Sequence, residues 1–534
     1  MKYFITRYGA FASVCLLALA LRLVAACHAR GLWADEVSSV SIATGHSLAH
    51  SATEARPELG DFVEWPDARP AREFGRYLRH TNPPATLGRV LRAILLADVH
   101  PPLYYVLLSG WSRLVSPADW LLRTFSILWA IAALPLLWLV GSRVGGRGTA
   151  MQAGLLYSLA PAGIYYSEEI RSYSLVWFLA TALVWCSLRL HDHGRPRDAL
   201  LWAVVGAAGL LAHYFFSFVW AICALWLWFA PGRSSRGRLT GAIVLVALLI
   251  VPWYVQLPAS VNRWRVDAHW LDGRLTPSQI VTVPLRLGWS VLSPRGPWGA
   301  NFATFDAVVR PALFAWLAFL ALPRRFRFTA PGVLIALWAV AACAGPVLFD
   351  LLRGTHASTV PRYALPAMPA IVLLTSLMLN ETRSWQRLAF VLLLVVDWHR
   401  GILDVLTDRM SPRGYNERVG AALTGLVGSS DVVIVHSHPA NIIATARQVP
   451  DDTSIAGWVV QLGARRVPGS LTGLLQGHRR AALVMRPLEN EQVPTAEERW
   501  VRTHARILRD FTSQGLPILY FEPHGLDGRW DQEP

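Results

Sequence analysis

Long apolar runs separated by short polar segments fill the chain up to about residue 400. An apolar run of roughly 20 residues crosses the hydrocarbon core of a bilayer as a helix. Hydropathy and loop charge together predict about eleven transmembrane helices. They are expected at Tyr8–Cys27, Trp120–Val140, Ala150–Ile164, Ser174–Leu190, Ala199–Ala212, Phe215–Ala230, Leu239–Val255, Ala307–Leu322, Pro331–Phe349, Ala364–Leu379 and Leu388–Trp398.

The segment between the first two predicted spans is mostly too polar to cross a membrane. Residues 28–119 are predicted to form a long external loop with surface helices near Phe74–Leu78 and Leu87–Leu96. The apolar segment Pro101–Val115 within this loop is shorter than a span, so we expect a juxtamembrane or re-entrant helix that begins at proline. With this assignment, every loop placed in the cytoplasm carries at least two arginines, as the positive-inside rule requires.

The pattern changes after about residue 400, where short apolar runs alternate with amphipathic stretches. Strands are predicted at Val432–Val435, Ile455–Val460, Ala481–Val484 and Leu516–Phe521, and helices at Glu417–Leu426 and Pro494–Leu508. The fold class is therefore an α-helical polytopic membrane protein with a small C-terminal α/β domain. We expect residues 1–400 to form the membrane domain and residues 401–534 to form the α/β domain, on the external side of the membrane.

Composition agrees with a membrane protein, since 53% of the 534 residues are hydrophobic and only 16% are charged. The net charge of +15 does not indicate nucleic-acid binding, because the arginines form short clusters between apolar runs. The five cysteines lie in or beside apolar runs and predict neither a disulfide framework nor a zinc site.

Polar side chains concentrate at the predicted external ends of the spans, whereas a random scatter would place about half of them on the other side. Ionisable groups at a membrane edge are costly, so this one-sided placement indicates a single external site. The members are Asp35, Glu36, His100, Glu169, Arg171, Tyr173, His213, Tyr214, Arg362 and Tyr363. Adjacent carboxylates in the stretch Arg30–Ser39, directly after the first span, are its centre.

These residue types suit transfer of a group from a membrane-borne phosphate donor. Arginine or histidine can bind the donor phosphate, and a carboxylate can take the proton of an acceptor hydroxyl. Polyprenyl phosphate is a good leaving group, so one carboxylate is enough and no general acid is needed, unlike in hydrolases.

Several segments resemble the GT-C glycosyltransferases, in particular the bacterial relatives of dolichyl-phosphate-mannose protein mannosyltransferase and of lipid A aminoarabinose transferase. GLWADEVSS resembles the W-x-DE loop of this group, and HPPLYYVLLSGWSRL, LLRTFSILWA and YYSEEIRSYSL resemble three further segments. VPWYVQLP and PRYALPAMP match two more, so the resemblance extends in order from about Gly31 to Pro369. Thr124 and Phe125 depart from the common pattern.

The resemblance implies a sugar transferase of the inner membrane that uses a polyprenyl-phosphate sugar at the external face. It implies Asp35 as catalytic base with Glu36 beside it, and Arg171, His100 and Arg362 at the donor phosphate. Supporting roles are expected for Glu169, Tyr173, Tyr104, Tyr105, His213 and Tyr363. The acceptor is a lipid, a glycan or a protein; no nucleotide cofactor or metal ligand is predicted, and dependence on a divalent cation is left open.

Plainer interpretations remain for most of these residues. Glu36 suits a helix N-terminus, Glu169 and Arg171 could form a structural ion pair, and Arg362 could extend to the interface. His100 precedes two prolines and His213 sits at a corner between spans. A lipid or sugar transporter is the alternative function, but it predicts charges at span centres and broken helices in paired positions, whereas the sequence has few central charges and no inverted repeat. A non-catalytic assembly protein would not require both adjacent acids.

Overall fold

The computed structural model describes residues 2–50, 53–97, 100–230, 232–256, 258–259, 271–290, 329–408, 413–459, 462–463, 465–486, 491–513 and 515–523. Helices predominate up to Leu406. They are α1 (Lys2–His28), α2 (Ala34–Ala43), α3 (Leu87–Ala97), α4 (Leu103–Leu114), α5 (Asp119–Leu159), α6 (Pro161–Glu168), α7 (Tyr173–His193), α8 (Pro196–Leu210), α9 (Phe216–Phe229), α10 (Arg236–Tyr254), α11 (Pro277–Ser290), α12 (Ala330–Arg353), α13 (Met368–Glu381) and α14 (Ser384–Leu406).

Among the described residues, six helical segments are long and apolar enough to cross a membrane. They are Gly9–His28, Asp119–Leu159, Tyr173–His193, Arg236–Tyr254, Ala330–Arg353 and Pro361–Glu381, and Phe216–Phe229 is a shorter apolar helix. The predicted fold class, a multi-span helical protein with a small C-terminal sheet, is confirmed. The predicted span Ala307–Leu322 lies outside the described residues.

Helix α5 covers one predicted span and most of the next, whose end lies in α6, and its backbone is not helical at Gly146. Gly146 has a φ of 82° and a ψ of −177°, a combination that glycine tolerates and other residues rarely adopt. The two arms lie side by side: a Cβ on Gly141 would be 2.8 Å from the Cα of Ala150, and the Tyr157 hydroxyl donates to the Ala130 carbonyl at 3.1 Å. The arms correspond to the spans predicted on either side of an arginine-rich turn.

The first loop contains the predicted short helices. A 3₁₀ helix covers Ala71–Leu78, followed by α3 and α4. Helix α4 has 12 residues and is therefore about 18 Å long, which is too short to cross the hydrocarbon core. This length agrees with the prediction that the apolar segment does not span the membrane, which stays a prediction.

The C-terminal region forms a six-stranded sheet in the order β1-β3-β2-β4-β6-β5. The strands are β1 (Arg69–Pro70), β2 (Val432–His436), β3 (Ser454–Trp458), β4 (Ala481–Met485), β5 (Ala505–Ser513) and β6 (Leu516–Pro523). Four helices accompany them: α15 (Arg413–Thr424), α16 (Pro439–Ala446), α17 (Gly469–Leu475) and α18 (Ala496–His504). Strands β2, β3 and β4 are parallel and fully apolar in their centres, as expected for strands covered on both faces.

The first loop, between α1 and α5, supplies one edge of this sheet, since β1 pairs antiparallel with β3. Next to it, the Val459 amide donates to the Glu64 carboxylate at 2.6 Å, and the Arg465 guanidinium donates to the Trp65 carbonyl at 2.7 Å. Helix α16 also packs against α2. The first loop and the C-terminal sheet therefore form one packed unit. The expected domain boundary at residue 400 falls inside α14 and stays a prediction.

Candidate active site

Helix α2 carries both adjacent carboxylates in its first turn. The chain leaves α1, turns at Gly31, and enters α2 after Trp33, whose amide donates to the Glu36 carboxylate at 3.3 Å. This contact caps the helix, because the first amides of a helix have no partner within it. Successive helix residues point about 100° apart, so Asp35 and Glu36 face different surroundings.

Glu36 faces inward and is completely buried. Both of its oxygens contact the buried Arg123 guanidinium, one of them at 3.0 Å from Nη2, and the Ile170 amide donates to it at 3.1 Å. Arg123 also donates to Glu168 at 2.9 Å and to the Gly31 carbonyl at 2.6 Å. This cluster, which we call the Glu36–Arg123–Glu168 triad, joins α2, α5 and α6.

Asp35 is partly exposed, with 27% of its side chain accessible. Its Oδ2 lies 3.5 Å from Nη1 of Arg362, which comes from the 3₁₀ segment Pro361–Ala367. The Arg362 guanidinium lies over the rings of Trp33 and Tyr363, 5.9 and 5.8 Å from their centroids. Two aromatic faces thus hold this cation beside the exposed carboxylate.

Arg171 contacts α2 one helical turn after Asp35. Its Nη1 lies 3.4 Å from both the Ser39 and the Tyr105 hydroxyl oxygens, and its Nη2 lies 3.3 Å from Nε2 of His100. Ser39 follows Asp35 by one helical turn, and its hydroxyl donates to the Asp35 carbonyl at 2.9 Å. Since residues four apart share a face of a helix, Arg362 and Arg171 lie along the same face of α2.

Other predicted residues lie around Asp35, Glu36, Arg171 and Arg362. The Trp33 indole donates to Glu169 at 3.1 Å, and Tyr104 shares a 2.8 Å hydrogen bond with Ser126. The rings of His100 and His213 lie 6.1 Å apart, and His213 accepts from the Phe215 amide at 3.2 Å. Rings of Tyr173 and Tyr363 pack against those of Tyr166 and Phe215, respectively, at 5.2 and 5.1 Å. These residues therefore lie in one neighbourhood, and their chemical roles stay predictions. Tyr214 instead contacts Trp253 and Tyr254 of α10.

Sequence reasoning missed Arg123, Glu168 and Trp33 as members of this neighbourhood. The sequence could have indicated Arg123, because it is a charged residue near the start of a predicted span. A charge at the membrane edge needs a partner. Glu168 was not distinguishable from its neighbour Glu169 in the sequence. Within the part of the chain that the structure describes, no group of three or more His, Cys, Asp or Glu side chains could hold a metal ion.

Comparison with known proteins gives a partial family match and a full-length fold match. Residues 99–255 match the family described as dolichyl-phosphate-mannose-protein mannosyltransferase. The structure of ArnT from Cupriavidus metallidurans in the apo state is 13% identical, with a TM-score of 0.56 over 96% of this chain and 98% of that chain. The same protein bound to undecaprenyl phosphate is 12% identical, with a TM-score of 0.55 over the same shares of both chains.

The archaeal oligosaccharyltransferase AglB from Archaeoglobus fulgidus is 12% identical over 90% of this chain and 70% of that chain, with a TM-score of 0.48. The search of curated protein sequences gives no match. At these identities the solved structures show the fold alone, which is the fold of ArnT. The resemblance inferred from the motifs is confirmed, and the family match and fold together support a membrane glycosyltransferase.

Proposed function

We propose that this chain, which has the fold of ArnT, transfers a sugar from a polyprenyl-phosphate donor to an acceptor hydroxyl or amine, with Asp35 as general base. The observation that carries the proposal is the arrangement along one face of α2. There the partly exposed carboxylate of Asp35 pairs with Arg362, and Arg171 contacts Ser39 one turn away. One carboxylate and two guanidiniums therefore lie along the same face of the helix.

The chemistry needs few groups. Asp35 takes the proton of the acceptor as the acceptor oxygen or nitrogen bonds to the anomeric carbon of the sugar. The bond from that carbon to the phosphate oxygen breaks, and polyprenyl phosphate leaves with the electron pair. Arg362 and Arg171 stabilise the charge that develops on the phosphate, as fixed cations do in a site shielded from water.

Glu36 has a positioning role in this proposal. Its carboxylate is fully buried and already accepts from Arg123 and from two backbone amides, so it fixes the start of α2 and the orientation of Asp35. We thus divide the adjacent acids into one that acts on the acceptor and one that holds the helix.

The proposed location is the inner membrane, with the site and the C-terminal domain on the external side. The arginine-rich loops between spans support this orientation by the positive-inside rule. The ArnT structure with undecaprenyl phosphate supports the donor class, because this chain has the same fold over nearly its whole length. The sugar and the acceptor stay open.

The test is an Asp35→Asn variant in a strain that lacks the gene, with envelope lipids and glycans compared by mass spectrometry. We expect the sugar-modified product to be missing or reduced about 10²–10⁴-fold, the usual contribution of a general base. Asp67→Asn is the matched control, since Asp67 is an exposed acid of the same loop, 63% exposed and paired with Arg69. A wild-type amount of product in the Asp35→Asn strain, at equal protein level, would show that Asp35 is not the base.

A further inference from the structure

A cavity lies at the far end of α2 from Asp35. It has a volume of about 270 Å³ and is formed where α2, α4 and the start of α5 meet the loop after the 3₁₀ helix Ala71–Leu78. Thr44, which ends α2, lines it. Thr44 follows Asp35 by nine positions, so the cavity lies about 14 Å from Asp35 along the helix.

The lining of this cavity is positively charged. Arg79, His80 and Arg113 line it, and none of the nine described lining residues carries a carboxylate. Nε2 of His80 lies 3.0 Å from the Ser112 hydroxyl, while its buried Nδ1 has no hydrogen-bond partner within the described ranges. Burial lowers the pKa of His80, and the nearby charge of Arg113 lowers it further, as expected where positive charges converge.

The remaining lining is apolar, with Leu78, Pro84, Pro117 and Leu122. A cavity with cationic groups on one side and apolar walls on the other suits an amphiphile with an anionic head. A water-soluble anion would gain nothing from the apolar walls.

The cavity also lies at the expected depth of a lipid headgroup. Leu122 is in the first turn of α5, which is a candidate membrane span, so this turn lies at the membrane boundary. Beside the lining residues, Leu114 is 81% exposed and Trp120 is 46% exposed. An exposed leucine and tryptophan at a span end are typical of contact with lipid at the interface.

We propose that this cavity, which we call the Arg79 pocket, binds the phosphate-bearing headgroup of an anionic membrane lipid. Arg79 and Arg113 contact the phosphate, and the apolar walls receive the first carbons of the lipid. The pocket does not depend on the sugar transfer proposed above, because it shares no residue with the site around Asp35.

The experiment measures binding of phosphatidylglycerol to the purified full-length protein in detergent, by native mass spectrometry, with zwitterionic phosphatidylcholine as the comparison lipid. We expect phosphatidylglycerol to bind more tightly, and Arg79→Gln to weaken its binding about fivefold, the effect of one arginine near anionic lipid. Arg79→Gln is the preferred variant, because the Arg79 side chain is exposed and its replacement removes charge without disturbing the hydrophobic core. The Arg79→Gln/Arg113→Gln double variant should lose more.

Two controls keep the result specific. Arg76→Gln removes one exposed charge from the same 3₁₀ helix but does not line the cavity, so it should leave binding unchanged. Arg79→Lys keeps the charge and should retain most of the binding. Asp35→Asn should bind phosphatidylglycerol as the wild type does, which separates this proposal from the proposed enzyme activity.

Three outcomes would overturn the proposal. Equal binding of the two lipids would show that the pocket does not select an anionic head. Equal losses of phosphatidylglycerol binding in Arg76→Gln and Arg79→Gln would show that overall charge alone attracts the lipid. Displacement of the lipid by millimolar inorganic phosphate would identify a free phosphate as the ligand, whereas retention of the lipid in that buffer supports the headgroup.

Discussion

Neutralising Glu36 should lower the free energy of unfolding, whereas neutralising Asp35 should not. The Glu36→Gln variant keeps the shape of the side chain but removes the negative charge that faces the fully buried Arg123. Breaking a buried ion pair from one side costs about 3–5 kcal/mol, because it leaves an uncompensated buried charge. Arg123 keeps Glu168 as a partner at 2.9 Å, so we expect the lower limit, about 3 kcal/mol.

The free energy of unfolding in mixed detergent micelles measures this cost. Glu417→Gln is a suitable control, because its pair with Arg30 has both side chains 41% exposed and such pairs contribute only about 0–1 kcal/mol. The triple variant Glu36→Gln/Arg123→Gln/Glu168→Gln removes all three charges of the triad. It should recover part of the stability lost in Glu36→Gln, since no buried charge is then left without its counter-ion.

One result would refute the division of roles between the two acids. If Glu36→Gln unfolds at the wild-type free energy and still loses all sugar transfer, Glu36 acts on the substrate and does not merely hold α2. If Asp35→Asn is destabilised as much as Glu36→Gln, the exposed carboxylate is part of the scaffold.

Three further predictions concern other parts of the fold. Arg171→Ala should raise the KM for the polyprenyl-phosphate sugar more than the KM for the acceptor; equal increases would indicate a structural role. Gly31→Ala should lower the free energy of unfolding by about 1–2 kcal/mol. Gly31 has a φ of 83°, and a new Cβ would lie 2.6 Å from the Gln448 side chain. An unchanged free energy of unfolding would contradict this strain. Burial lowers the pKa of His436, but hydrogen bonds and charges from Glu497 and Glu491 outweigh burial and raise it. The charged pair therefore stabilises the sheet below the usual imidazole pKa and is lost as the pH rises through the raised value. Hydrogen exchange of β2 in the full chain should show this loss of protection as the pH rises through the raised pKa, and His436→Gln should abolish the pH dependence. The same dependence in His436→Gln would exclude His436 as its source.

The membrane part was predictable because its signals are strong and local. Apolar length and arginine-rich loops located the spans, and Pro101–Val115 was recognised as too short to cross. Four of the five described C-terminal strands were predicted from short apolar runs, with ends within a few residues. One helix was predicted too long: Ala505–Leu508 has a helical pattern but forms the start of β5, because pairing with β6 outweighs local propensity.

The sequence predicted which residues lie close together in the candidate site, but not how they contact one another. The sequence grouped Asp35, Arg171 and Arg362 through the predicted topology, and the structure brings them to one face of α2. It did not indicate that Glu36 and Arg123 pair, because their contact joins positions 87 residues apart and no local pattern encodes it. Nor did it reveal β1, since two residues within a polar loop give no strand signal.

The pairing of β1 with β3 has a consequence for how the protein is made. Ile455 emerges from the ribosome about 390 residues after its partner Arg69, an interval on the order of 20–80 s at usual synthesis rates. During this interval the first loop has been synthesised, yet one edge of its structure and the helix that packs on α2 do not exist. A chain terminated before β3 would contain every residue of the candidate site and still lack their support. Activity is therefore expected to begin only once translation is nearly complete.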